Sequence, residues 1–305
     1  MRQDPYGRSQ YGQGGGRRGG GLGNLRWLIL LGFLVYGGCY YLNNRVVDPY
    51  TGEKVLIDNS IGVEEEKALG LQAYEEILQQ EQPVDPNSQI AQQVRTIAQR
   101  LIAKVPEVEA AIAAEKGTQP SGNWKSFDWD VNVIQSDQAN AFCLPGGKIA
   151  VYTGILPIAQ NDSALAAIMG HEIAHALLRH SAERMAQNKL VQLGSMATGM
   201  AISDMDPQQQ KAVMAVMGAG AQYGVLLPFS RDHESEADEV GLMLAAAACY
   251  DPREAIGLWE RMGQASGGQA PPEFMSTHPS GSTRIAHLQR LMPKALEIRK
   301  AYCGK

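Results

Sequence analysis

The chain has 305 residues, long enough for one substantial domain or two modest ones, so it does not depend on the staples a small scaffold requires. A formal net charge of -5, with basic bias confined to the first 26 residues, excludes a general nucleic-acid binder. Cys39, Cys143, Cys249 and Cys303 show no C-x-x-C spacing, which excludes an obvious zinc knuckle or a dense disulfide framework and leaves one bridge open in an oxidising compartment.

Residues 1–24 are Gly, Arg, Gln and Tyr with almost no aliphatic side chain, so they bury too little surface to offset their ordering entropy. They read as a disordered tail. An RNA-binding use of this tail is disfavoured, because it is short and abuts a hydrophobic segment. Trp27 to Leu42 carries no charge. As a helix it would run about 24 Å, close to the roughly 30 Å hydrocarbon core of a bilayer. Arg2, Arg8, Arg17, Arg18 and Arg26 precede it, which favours a cytoplasmic amino terminus and sends the rest of the chain to the far side. Residues 25–44 are therefore expected to form a transmembrane signal anchor, residues 45–60 a linker and residues 61–305 the functional domain. A cleaved signal peptide, a lipoprotein signal at Cys39 and a buried core helix stay open as alternatives.

Hydrophobic spacing predicts a polar helix from Gly62 to Gln80 and a second from Asn87 to Lys104, with Ile90, Val94, Ile97 and Leu101 as its stripe. Pro106 to Gly122 is a further helix or a loop. From Trp124 to Leu156 the period changes from helical to alternating. Trp129 to Val133, Ala141 to Cys143 and Lys148 to Tyr152 read as strands, the last following a turn at Pro145-Gly146-Gly147. The expectation is a small antiparallel sheet. Its edge strand, taken as Lys148, Ile149, Ala150, Val151 and Tyr152, would hold a substrate peptide as an added strand; an ordinary core hairpin is the competing reading.

Asn161-Asp162-Ser163 offers a cap for a helix running to Arg184. Its apolar residues recur at helical spacing and leave His171, Glu172 and His175 together. Histidines four residues apart sit one turn above each other, so both imidazoles reach a single ion while the glutamate projects beside it. This is the H-E-x-x-H pattern of zinc hydrolases. A core histidine without a ligand is the bland alternative, but an apolar helix has no packing reason to bury two imidazoles and a carboxylate within a turn. His180, a further five residues on, points roughly 140° away on an unbroken helix and is expected to be structural. Beyond it, Lys189 to Leu227 reads as a helical hairpin broken at Ser203 to Pro207, packed in the fold or touching a membrane.

A catalytic zinc needs a third protein ligand besides an open position. The candidate stretch is Arg231 to Gly241, where Glu234 and Asp238 stand at i and i+4 with Ala237 and Gly241 beside them. One carboxylate can bind metal while the other accepts a proton from a ligand histidine and orients it. Asn140-Ala141-Phe142 and Pro145-Gly146-Gly147 before the histidine helix, E-x-E-A-D-x-x-G after it, and Thr277-His278-Pro279 with Arg284 complete a set. Together these motifs resemble the HtpX and CAAX-prenyl-protease superfamily of zinc metallopeptidases, closest to its BepA/LoiP-like bacterial branch. The likeness runs from Asp48 to Leu291 and takes in Asp48 to Gly52 and Glu66 to Gly70.

The resemblance implies a mostly helical α+β zincin of the gluzincin kind, with a small antiparallel sheet beside the H-E-x-x-H helix. It implies one Zn2+ per chain, with Glu234 as third ligand and Asp238 behind the ligands; Glu236 falls where the family varies. Glu172 is the expected general base. His278, in the Gly/Ser/Pro-rich stretch from Gln264 to Thr283, would stabilise the oxyanion or cap the zinc. His233 and His287 are expected at the surface or on a helix face. The expected activity is a metalloendopeptidase acting on polypeptides, misfolded or envelope proteins among them. An assembly factor or chaperone with a vestigial or regulatory zinc site is the alternative. With the anchor, the bacterial branch implies a catalytic domain on the periplasmic side of a bacterial cell envelope, and no nucleic-acid partner. No tetratricopeptide-like tail is evident, so partner recruitment by such repeats is not expected.

Overall fold

A computed structural model describes residues 20–221, 227–265, 273–278 and 282–304. The tail over residues 1–19, the centre of the stretch from Gln264 to Thr283, and residues 222–226 in the expected hairpin lie outside them. Twelve helices are defined in the described residues: α1 (Gly20–Asn43), α2 (Val63–Gln80), α3 (Gln89–Ile102), α4 (Val105–Lys116), α5 (Leu156–Ala159), α6 (Asp162–Leu177), α7 (His180–Ala201), α8 (Pro207–Ala221), α9 (Leu227–Ala247), α10 (Glu254–Ala265), α11 (Glu273–Thr277) and α12 (Ser282–Cys303). Between them lie β1 (Arg45–Val47), β2 (Lys54–Leu56), β3 (Asp130–Ile134), β4 (Ala141–Leu144) and β5 (Lys148–Tyr152).

Local chemistry sets several boundaries. Ser88 Oγ accepts from the Ala91 backbone N–H at 3.3 Å and Asn161 Oδ1 from that of Ala164 at 2.9 Å, capping α3 and α6. Gly117 in the left-handed conformation ends α4. The stripe of α3 is buried at Val94, Ile97 and Leu101, but Ile90 is exposed and Ala91 and Ala98 take its place inside. The expected linker contains a short hairpin, β1 pairing antiparallel with β2, and Asp48 caps its turn through Tyr50 and Thr51 N–H. The helix expected to run on to Arg184 stops at Leu177: Arg179 is left-handed at φ 56, and α7 starts anew at His180.

The larger sheet has the order β3-β5-β4, with β5 parallel to β3 and antiparallel to β4. Two expectations are corrected here. The sheet is mixed rather than antiparallel, and Lys148, Ile149, Ala150, Val151 and Tyr152 form its centre, not its edge. All five are buried, and both sides of β5 are already paired, so no peptide can be added to it. The outer side of β3 is bonded by the preceding loop, through Val84 N–H to Val133 O and Gln135 N–H to Gln82 O, both 2.8 Å. That leaves β4, which packs on α6, as the strand of this sheet with a side unpaired among the described residues.

Helix α6 is the centre of the core and packs against β4, α3, α9 and α10. Its approach to α9 is backbone to backbone. A Cβ on Gly170 would stand 2.8 Å from the Gly241 carbonyl oxygen, and one on Gly241 would stand 2.6 Å from the His171 nitrogen. Only glycine fits at both positions. At the far end a disulfide joins Cys249, just past α9, to Cys303 of α12, while Cys39 and Cys143 are free.

Helix α1 covers part of the expected anchor. It buries Leu30 and Tyr40, packs on α7, and leaves Trp27, Leu28, Leu31 and Leu34 exposed. Lys189 of α7 ties it down, with Nζ 4.8 Å above the Tyr40 ring and 2.6 Å from Asp58 Oδ2. No helix of the described residues is long and apolar enough to cross a membrane.

The glycine contact makes a direct prediction. Gly241→Ala should force α6 and α9 apart and cost about 1–3 kcal/mol of stability in urea unfolding. A variant as stable as the parent would show that the two helices do not depend on this approach.

Candidate metal centre

Four side chains from three elements converge at the α6–α9 contact. His171 and His175 come from α6, Glu234 from α9 and His278 from just past α11, and one donor atom of each lies within 4.8 Å of all the others. His171 Nε2 is 3.0 Å from His175 Nε2 and 3.3 Å from Glu234 Oε2, and His175 Nε2 is 3.5 Å from Glu234 Oε1. An ion with ligands at about 2.0–2.2 Å in a tetrahedron has donor atoms about 3.3–3.6 Å apart. The two contacts of Glu234 match that spacing and the 3.0 Å between the imidazole nitrogens falls a little short of it, so the three side chains fit a metal in donor type and closely in spacing. His278 Nδ1 is 2.9 Å from Glu234 Oε1 and 3.2 Å from His171 Nε2, completing the group.

Glu172 lies beside the cluster. Its Oε1 is buried without a hydrogen bond in the chain, with His278 Nε2 3.3 Å away. Burial raises its pKa, the direction that makes a carboxylate readier to take a proton. Asp238, one turn after Glu234, accepts from His171 Nδ1 at 3.0 Å and so fixes which nitrogen of His171 faces the cluster.

Arg284 of α12 binds two carboxylates of α9, Asp238 and Glu234. Its Nη2 and Nε donate to Asp238 Oδ1 at 2.6 Å and Oδ2 at 2.8 Å, its Nη1 donates to Glu234 Oε2 at 2.8 Å, and the guanidinium lies 3.8 Å from the Trp259 ring centroid. Burial pushes both carboxyls up, but these partners outweigh it. Glu234 is held far below the carboxylate range by hydrogen bonds from His171, His175 and His278, and Asp238 below it by Arg284 and His171. Burial and the Arg284 charge oppose protonation of His171, yet Asp238 and Glu234 draw it up to about 9. His175, for which burial dominates, is pushed down to about 3.

Behind His175 the structure places a second polar layer. His180 Nδ1 is 2.7 Å from His175 Nδ1, His180 Nε2 is 3.0 Å from Glu236 Oε2, and the His233 ring stacks on His180 at 4.1 Å. His233 donates from Nε2 to Glu183 Oε2 at 2.9 Å. Burial keeps His180 far below the usual imidazole value and, with Asp48 and Glu183 adding to it, lifts Glu236 to about 8.

Every residue expected around the ion is thus brought together: His171, Glu172, His175, Glu234, Asp238 and His278. Some roles differ from expectation. His180 touches a predicted ligand because the helix breaks before it, and His233, expected at the surface or on a helix face, lies on a buried face of α9, whereas His287 is partly exposed with Nε2 3.3 Å from the Ser235 carbonyl. Arg284 and Glu236 had no role in the sequence reading. Four acids within six residues of one helix, at i, i+2, i+4 and i+5, point to more than one buried face, and that signal was available.

A helix presenting two imidazoles and a base to a carboxylate on a neighbouring helix defines a metallopeptidase of the H-E-x-x-H class. A model of Peptidase family M48 matches residues 99–292, and the chain belongs to that family. The mitochondrial metalloendopeptidase OMA1 of Schizosaccharomyces pombe is 34% identical over 272 residues, 88% of this chain and 73% of that protein. The human mitochondrial metalloendopeptidase OMA1 is 31% identical over 283 residues, 90% of this chain and 52% of that protein. The beta-barrel assembly-enhancing protease of Escherichia coli is 31% identical over 162 residues, 50% of this chain and 32% of that protein.

The chain is a metalloendopeptidase with polypeptide substrates, and the reading as an assembly factor with a vestigial site is not favoured. The expected bacterial branch is not singled out, since OMA1 proteins match over more of the chain. The expected placement in a bacterial cell envelope is corrected on the same ground: relatives matching most of the chain, from yeasts and mammals, are named as mitochondrial.

Arg284 yields a prediction. Arg284→Leu leaves two buried carboxylates without their cation and should cost the metal-free protein about 3–5 kcal/mol in urea unfolding. Added zinc should restore part of that loss by binding only the folded state. Metal-free stability equal to the parent's would contradict the pairing.

Proposed function

We propose that one zinc ion per chain is held by His171, His175 and Glu234, and that Glu172 is the general base for peptide-bond hydrolysis. The observation that carries this is the buried Oε1 of Glu172, without a hydrogen bond and with the His278 imidazole 3.3 Å away, beside three closely spaced donors. Zinc, when bound, polarises a carbonyl and makes water more acidic. The residues do the rest. Glu172 takes the proton of the attacking water and hands it to the leaving nitrogen as the C–N bond breaks. Asp238 holds His171 in the tautomer that points a lone pair inward, and Arg284 holds Asp238.

The substrate reading moves to β4. An extended peptide laid along its unpaired side, beside α6, would be fixed by backbone hydrogen bonds next to the site. His278 is read as a cap of the resting state. It lies within 3.2 Å of a ligand nitrogen and 3.3 Å of the base, so in this position it blocks both.

Two substitutions test this on the full chain with casein as substrate. Glu172→Gln should lower cleavage at least about 100-fold with zinc content unchanged. Persistent cleavage would remove Glu172 as base. His278→Ala should raise basal cleavage, whereas a fall would favour oxyanion stabilisation over the cap.

A further inference from the structure

The proton positions around His175 follow from its neighbours. Its Nε2 faces His171 and Glu234, and a ligand nitrogen must present a lone pair to the ion, so its proton sits on Nδ1. That proton needs an acceptor, and His180 Nδ1 is 2.7 Å away. With its Nδ1 lone pair engaged, His180 carries its own proton on Nε2, which lies 3.0 Å from Glu236 Oε2. Each tautomer in the row therefore dictates the next.

We propose that His180 and Glu236 are positioning residues for metal binding, a two-step relay that fixes the tautomer and ring orientation of His175. The inference rests on the reading of His175 as a ligand. It gives the two histidines of the motif different supports: His171 leans directly on Asp238, whereas His175 leans on a carboxylate through a second imidazole. Glu236 provides an oxygen lone pair to His180 Nε2–H whether its carboxyl is charged or neutral.

The surrounding structure is built to hold this row. The left-handed Arg179 ends α6 and lets α7 begin with the His180 ring against His175. The guanidinium of Arg179 is bound by Glu66 of α2, which secures the break. The His180 ring is clamped in plane by His233, stacked at 13°, and His233 is held by Glu183, which in turn accepts from Gln187 at 3.1 Å. His180, His233, Glu183 and Gln187 are all buried, each under 5% exposed. Such a row of buried polar groups, in which the Nδ1 of His233 is left without a hydrogen bond, has no packing advantage over apolar side chains of the same volume, so its function is to orient the ligand it touches.

The test is the zinc affinity of the full chain, measured by competition with a fluorescent chelator. His180→Phe keeps the ring volume and the stack on His233 but removes both nitrogens, and should weaken zinc binding about 10- to 100-fold. Glu236→Ala should weaken it about tenfold, at the low end of that range, while Glu236→Gln, which retains a carbonyl acceptor, should stay close to the parent. Adding Glu236→Ala to His180→Phe should cause no further loss, because Glu236 acts only through His180. Parental affinity in His180→Phe would overturn the relay. Equal losses in the Ala and Gln variants, or losses that multiply in the double variant, would also overturn it, since both mark a general structural defect. His175→Ala is the reference: if it binds zinc as the parent does, the ligand reading fails and the relay with it, whereas loss there with no loss in His180→Phe removes the relay alone.

Discussion

Two helices touch backbone to backbone at Gly170 and Gly241, and the distances of the candidate metal centre depend on that contact. Gly170 immediately precedes His171 in α6, and Gly241 stands three residues after Asp238 in α9. With a side chain at either place, Glu234 and Asp238 would move outward from the imidazoles they face. An H-E-x-x-H helix supplies two donors and a base; the third donor becomes useful only when another helix comes close enough to share the ion. Small residues at the crossing are how the fold meets that demand.

Such closeness gathers charge in a dry interior. Glu234 and Asp238 are both buried, and desolvation disfavours each as an anion. Arg284 offsets this for both at once, and Trp259 gives its guanidinium an aromatic face on which to rest. The site is therefore electrostatically satisfied from the α12 side before any ion is considered. On the α7 side, imidazoles arranged in a row stand where α12 supplies a charge. The two flanks meet the same demand, a buried imidazole held in one orientation, with different chemistry.

The grouping of His171, Glu172 and His175, and of Glu234 with Asp238, was legible because the signal is local: four-residue spacings place side chains on one helix face whatever the rest of the chain does. The α6 cap at Asn161 and the limits of β5 were legible for the same reason. Strand order was not. Lys148 to Tyr152 looked like an edge because alternating residues reveal a strand but not its neighbours, and the parallel pairing with β3 joins segments separated in sequence. The break at Arg179 was also hidden, since a left-handed arginine carries none of the glycine signal that usually marks a helix end. That single break is what turned His180 from a residue on a distant face into the neighbour of His175. Arg284 was visible as part of a motif, but its two carboxylate partners are visible only in three dimensions.

If α6 and α9 share one ion, metal content measures that sharing most directly. Purified full-length chain, loaded with zinc and desalted, should retain one zinc per molecule by elemental analysis, as should Gly194→Ala, a substitution on α7 with open space around it. Glu234→Ala should lose that zinc while remaining folded by circular dichroism. A full equivalent of zinc retained in folded Glu234→Ala would contradict that sharing, and would mean that α9 does not complete the site.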